Sequence, residues 1–266
     1  MKRSRHPSNE RHLLYGVNPV TEALRAERLP NEIIIAEGAR DERLREVIEL
    51  ARRRGVPVNR VRRADLEREA GNANHQGVAA RIPAPKYASA DDLLESISAR
   101  IGTGAEPLLL VLDGIEDPRN LGAILRTAEC AGASGVFIPE RRAAGLNETV
   151  AKASAGAVEY LPVARVTNLT VLIQQLKERN VWVVGTDAEG TTDYNDWDWT
   201  RPSAIVLGAE GTGLHRLVRE NCDMLVRIPV HGRIESLNVS VAAGIVLYEA
   251  LRQRAAPREQ VGSIHR

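Results

Sequence analysis

The sequence predicts an α/β protein built on a mostly parallel sheet. Short β-branched or apolar runs alternate with stretches of helical periodicity along nearly the whole chain. Leu108–Leu112 is continuously apolar, the pattern of a strand covered on both faces. Several such runs lead straight into glycine- or Asx-containing loops, as strands feeding crossover helices do.

In chain order, residues 11–83 read as a small α/β unit. Asn18-Pro19 reads as an N-cap and first helical residue opening a helix to about Arg28. Glu32–Glu37 is a strand. Asp41–Arg54 carries Leu44, Val47, Ile48 and Ala51 at helical spacing and ends at Gly55. Val56–Val61, Asp65–Ala70 and Gly77–Ile82 read as strand, short helix and strand. Residues 84–106 are a linker, rich in Pro and Ala at its start, that contains a helix at Asp91–Arg100.

The second domain is expected over 107–254. Strands fall at 108–112, 135–138, 160–164, 181–186, 204–207 and 224–228. Helices fall at 120–131, 147–155, 169–179, 214–219 and 238–254. Ligands of such sheets sit beyond the strand C-termini, which directs attention to 113–126, 186–190, 208–214 and 228–238. The last helix is small and apolar nearly all round, as a helix buried in a sheet or at a subunit contact is.

Composition narrows the function. Among 266 residues, 43% are hydrophobic and 27% charged, which excludes disorder as the dominant state. No apolar run is long enough to span a membrane, and Met1–His12 is polar and basic, so a cytoplasmic protein is expected. Cys130 and Cys222 are expected to be buried free thiols. Six scattered histidines show no metal-ligand spacing, and no metal is expected. Residues 1–86 carry 18 Lys+Arg against 12 Asp+Glu, while the remainder carries 18 against 23. That asymmetry suits an N-terminal part facing a polyanion. Residues 52–63 alone hold six arginines. Tyr194, Trp197 and Trp199 concentrate in 187–200, where they suit core or dimer packing better than stacking on bases.

Three loops carry candidate chemistry. The first holds Asn120, Gly122 and Arg126, with Asn120 readable as a simple N-cap. The second is Leu207-Gly208-Ala209-Glu210-Gly211-Thr212-Gly213, whose spacing is neither a dinucleotide fingerprint nor a P-loop. The third runs from Ile228-Pro229 to Ser236-Leu237-Asn238-Val239-Ser240 and opens the last helix.

In this order, N-x-G-x-x-x-R, L-G-x-E-G-x-G and I-P…S-L-N-V-S resemble the SpoU (TrmH-type) RNA ribose 2′-O-methyltransferases over about 108–254. His12–Leu24 and Asn74–Ala79 resemble the flanks of an L30e/L7Ae-like RNA-binding domain in the branch acting on large-subunit rRNA. The resemblance implies an α/β knot (the trefoil-knotted SPOUT class), a homodimer with sites drawing on both subunits, and S-adenosylmethionine as cofactor. It places the cofactor at Leu207, Gly208, Ile228 and Leu237, with Thr186 near the methionine side. It makes Asn120, Arg126, Glu210, Ser236 and Asn238 the catalytic set. A guanidinium is effectively always protonated, so phosphate binding and orientation suit Arg126 better than proton abstraction. The implied substrate is a guanosine of large-subunit (23S) rRNA. A tRNA ribose methylase and a catalytically silent RNA binder are the competing readings.

Overall fold

The computed structural model describes residues 12–25, 29–39, 41–70, 74–82, 87–233 and 236–255. By internal contacts the chain divides into two units, one of Met1–Tyr87 with Gly145–Tyr160, the other of Ala88–Ala144 with Leu161–Arg266. Part of the stretch that the sequence reading gives to the second domain, 145–160, therefore groups with the first. The start of the expected linker, 84–86, lies outside the described residues.

The first unit contains β1 (His12–Tyr15), α1 (Val17–Arg25), β2 (Glu32–Ala36), α2 (Asp41–Arg53), β3 (Val58–Val61), α3 (Arg63–Ala70) and β4 (Val78–Ile82). Its sheet has the order β1-β4-β2-β3, with β4 antiparallel to both neighbours and β2 parallel to β3. One face buries Val20, Leu24, Ile33, Ile35, Leu44 and Val47, the residues whose spacing defines α1, β2 and α2. Asn18 does not cap α1. Helix geometry begins at Val17, whose N–H is taken by Gln76 Oε1 at 3.1 Å. Pro19 then lies within the first turn, where a missing N–H costs nothing.

The second unit follows with α4 (Ala90–Arg100), β5 (Leu108–Asp113), α5 (Pro118–Cys130) and β6 (Gly135–Pro139). The short helix α6 (Glu148–Ala153) belongs to the first unit by contacts. The second unit resumes with β7 (Val163–Val166), α7 (Leu169–Glu178), β8 (Trp182–Thr186), β9 (Thr192–Asp193), β10 (Ser203–Gly208), α8 (Arg216–Asn221), β11 (Met224–Arg227) and α9 (Val239–Ala255). Its sheet has the order β7-β6-β5-β10-β8-β11-β9, and every pairing is parallel. All six β5 residues are buried, as a strand covered on both faces requires. Helices α5 and α9 pack against each other, with Gly244 of α9 set beside Thr127 of α5.

Trp197 and Trp199 are packing residues. Trp199 is fully buried and donates its indole N–H to Tyr194 O, and Trp197 lies edge-on to both Trp182 and Trp199. Cys130 corrects an expectation, because it is exposed near the C-terminal end of α5. Cys222 is half-buried against the core, and burial pushes its thiol up to about 12, against a smaller opposing pull from Lys177. No helix among the described residues is long and apolar enough to cross a membrane. None of their His, Cys, Asp and Glu side chains form a group able to hold a metal ion.

Candidate active site

Asn120, Glu210 and Asn238 converge. They come from the first turn of α5, the turn after β10, and the residue before α9. Asn120 Nδ2 donates to Glu210 Oε1 at 2.8 Å, and Asn238 Nδ2 donates to the same oxygen at 2.7 Å. Asn238 also donates to Asn120 Oδ1 at 3.1 Å. One carboxylate oxygen thus orders two amides contributed from 90 residues upstream and 28 residues downstream.

Local structure frees these side chains. Asn120 is not the N-cap of α5. Asp117 fills that position, accepting from Arg119 N at 2.8 Å, and Pro118 follows it. Asn238 does both jobs. Its Oδ1 accepts from Ser240 N at 2.9 Å and Ser240 Oγ at 2.6 Å, while its amide nitrogen serves the cluster.

Glu210 rides on a closed turn in which Ala209 and Gly213 exchange two backbone bonds. Gly211 and Gly213 adopt φ +80 and +66. Gly208 is required for another reason. A Cβ there would lie 2.2 Å from the backbone carbon of Gly213.

A residue missed from sequence holds this turn in place. Asp113, buried at the end of β5, accepts from His215 N at 2.8 Å and sits 2.9 Å from His215 Nδ1. Its signal was a carboxylate closing an otherwise apolar strand. Beside the cluster lies a cavity of about 320 Å³ whose lining includes Glu116, Asp117, Asn120, Arg142, Glu210 and His215.

The residues expected at the cofactor fall at the C-terminal ends of three neighbouring strands. Thr186 ends β8, Leu207-Gly208 ends β10, and Ile228 follows β11. Val206 is level with Gly185, and Thr186 with Val226. Leu207 is fully buried, so backbone atoms are what it can offer there, and Leu237 is exposed just before α9. Gly190 packs at the same edge, where a Cβ would lie 2.7 Å from the backbone carbon of Val226. Apolar walls with backbone polar groups at the strand ends suit an adenosine better than they suit a charged ligand.

Two candidates stand apart. Arg126 is exposed on α5 and makes no hydrogen bond or ion pair among the described residues. Six residues separate it from Asn120, a rotation of roughly 240° about the helix, so the two leave α5 in different directions. Ser236 is exposed and likewise joins no bond among the described residues.

The parallel α/β fold and the site together fit the methyltransferase class that the motifs resemble. The SpoU rRNA methylase family matches residues 107–248, and a model for RNA 2′-O ribose methyltransferase substrate binding matches 13–88. The chain belongs to the SpoU/TrmH family and is an RNA methyltransferase. It is 44% identical over 247 residues to YacO of Bacillus subtilis, named for the TrmH family of tRNA/rRNA methyltransferases, covering 93% of this chain and 98% of that one. An AdoMet-bound rRNA methyltransferase from Sinorhizobium meliloti aligns at a TM-score of 0.74 and 28% identity, over 91% of this chain and 87% of that one. The A. aeolicus TrmH/SpoU tRNA modifying enzyme aligns at 0.52 and 29% identity, over 62% of this chain and 83% of that one.

Proposed function

We propose that this chain methylates the ribose 2′-hydroxyl of a guanosine in large-subunit (23S) rRNA, acting in the cytoplasm as a homodimer with S-adenosylmethionine. The observation that carries the substrate reading is the first unit. It matches a substrate-binding model, and the rRNA methyltransferase aligns over 91% of the chain where the tRNA enzyme aligns over 62%. All six arginines of 52–63 are exposed there, as phosphate contacts require. With Tyr15 buried, recognition through RNA shape and backbone suits this unit better than base stacking.

Thr186, Leu207, Gly208, Ile228 and Leu237 are the residues that would hold the cofactor, which supplies an activated methyl group on a sulfonium. The remaining tasks belong to the chain. Glu210 orders the Asn120 and Asn238 amides, and these orient the ribose for in-line attack. Ser236, at the mouth of α9, positions the loop or the nucleotide. Arg126, which has no partner among the described residues, serves the site of a second copy. There it binds the phosphate beside the reacting ribose and lowers the cost of ionising the hydroxyl, while a phosphate oxygen or water takes the proton.

A tRNA substrate is the second reading, favoured by the tRNA/rRNA naming of YacO. Labelled methyl transfer to protein-free large-subunit rRNA and to tRNA, mapped by alkali-resistant cleavage, decides between them. One modified guanosine in rRNA is expected. Transfer to tRNA alone would overturn the substrate and keep the chemistry.

A further inference from the structure

The cavity beside the amide–carboxylate cluster holds groups that the cluster does not use. Arg142 lines it with φ +56, a left-handed backbone that a residue with a side chain adopts at a cost. Its guanidinium has no hydrogen bond or ion pair among the described residues, although Glu116, Asp117 and Glu210 line the same space. Asp117 Oδ1 is taken by the cap of α5, and Glu210 Oε1 by the two amides. Glu116 is exposed and has no partner among the described residues. The ring of His215 is anchored through Nδ1 on buried Asp113, which leaves Nε2 as its free nitrogen.

The cavity therefore pairs a group that only accepts, Glu116, with a group that only donates, Arg142. A ligand satisfying both needs two adjacent donors for a carboxylate and two adjacent acceptors for a guanidinium fork. Among the four RNA bases only guanine has this combination, with donors at N1 and N2 and acceptors at O6 and N7. Uracil presents one ring donor, and adenine and cytosine each set their amino group beside an acceptor. Position agrees with chemistry. The base hangs from the ribose carbon next to the one bearing the 2′-hydroxyl, so its subsite must adjoin the groups that orient that hydroxyl, as this cavity adjoins Asn120 and Glu210.

We propose that the cavity is the subsite for the guanine of the methyl-accepting nucleotide, with Glu116 reading N1 and N2, Arg142 reading O6 and N7, and the anchored His215 ring forming a wall. This rests on the guanosine reading above. It makes Glu116 and Arg142 specificity determinants of the reaction.

The test compares the wild-type protein with Glu116→Gln, Arg142→Lys and Arg142→Gly. Glycine takes the φ of Arg142 without strain, so this last variant separates loss of the guanidinium from loss of folding. Cofactor affinity is measured by calorimetry, kcat/KM on protein-free large-subunit rRNA by labelled methyl transfer, and product identity by nucleoside mass spectrometry. The expected result is unchanged cofactor affinity with kcat/KM down roughly tenfold or more for Glu116→Gln and Arg142→Gly. Arg142→Lys recovers only part, since an ammonium cannot present a fork.

Saturation-transfer NMR gives a readout apart from turnover. Guanosine 5′-monophosphate should give signals with the wild type that AMP, CMP and UMP do not, and that both impaired variants lose. Full kcat/KM in both variants, or equal signals from all four nucleotides, would overturn the subsite. If the wild type still makes 2′-O-methylguanosine in that case, the guanosine reading survives. If its product is a different 2′-O-methyl nucleoside, the guanosine reading fails and the subsite with it.

Discussion

At the scale of single residues, the glycines of the second loop separate two physical demands that look alike in sequence. Gly208 has no room for a side chain, because a Cβ would collide with the backbone of Gly213. Gly211 has open space around it but φ +80. Gly208→Ala must therefore displace the turn that carries Glu210, at about 3 kcal/mol. Gly211→Ala pays only the left-handed backbone, about 1 kcal/mol. Thermal unfolding with a cofactor titration tells them apart: Gly208→Ala should lose both stability and cofactor affinity, Gly211→Ala a little stability alone. The spacing of the glycines was legible in the sequence, but which demand each one meets depends on what packs over it. The same holds for Asn120. A capping residue was legible near the start of α5, yet Asp117 takes that role and releases Asn120 to the cluster. Asp113 was illegible because its partner lies 102 residues away.

At the scale of elements, α9 shows what periodicity conveys and what it leaves open. Its apolar residues were legible, but only the fold divides them. Val239, Ala243, Val246, Leu247 and Ala250 are buried, while Val241, Tyr248 and Leu251 form an exposed stripe. Such a stripe fits a second copy. Val241→Glu with Tyr248→Glu should shift the protein towards monomer in sedimentation, with helical circular dichroism retained. Near its other end α9 secures the tryptophan loop. Gln253 accepts from Trp199 N at 2.9 Å and donates to Trp197 O and to Glu249. Bonds from Arg252 and then Gln253 hold the Glu249 carboxyl below its usual value of 4.5, outweighing burial, which raises it. A depressed carboxylate stabilises the fold above its unfolded pKa and loses that contribution as pH falls through the folded one. Glu249→Gln should thus lower Tm at pH 7, and the gap to wild type should narrow below pH 4.5. The elements that escaped sequence reading were β1 and β9, four and two residues long, whose existence depends on partners distant in sequence.

At the scale of the whole molecule, the alternation of strand and helix made the parallel sheet legible, and the motif order made the family legible. The placement of 145–160 was not, because a short amphipathic segment does not state which core it joins. Arg126 raises the same issue for function. Proximity to Asn120 along α5 suggested one constellation, but helix geometry sends the two apart and leaves Arg126 exposed. If Arg126 completes the site of a second copy, Arg126→Ala and Asn238→Ala are each inactive alone but complement when mixed. A heterodimer of the two places both defects in one site and leaves the other intact. Dissociation and random reassociation of equal amounts should then restore about a quarter of wild-type methyl transfer, since half the dimers are mixed and each carries one whole site. Were Arg126 to act within its own chain, every site in the mixture would contain one defect and no activity would return. Cofactor affinity, measured on each parent, should stay near wild type for Arg126→Ala, so that recovery reports assembly of the site rather than repair of cofactor binding.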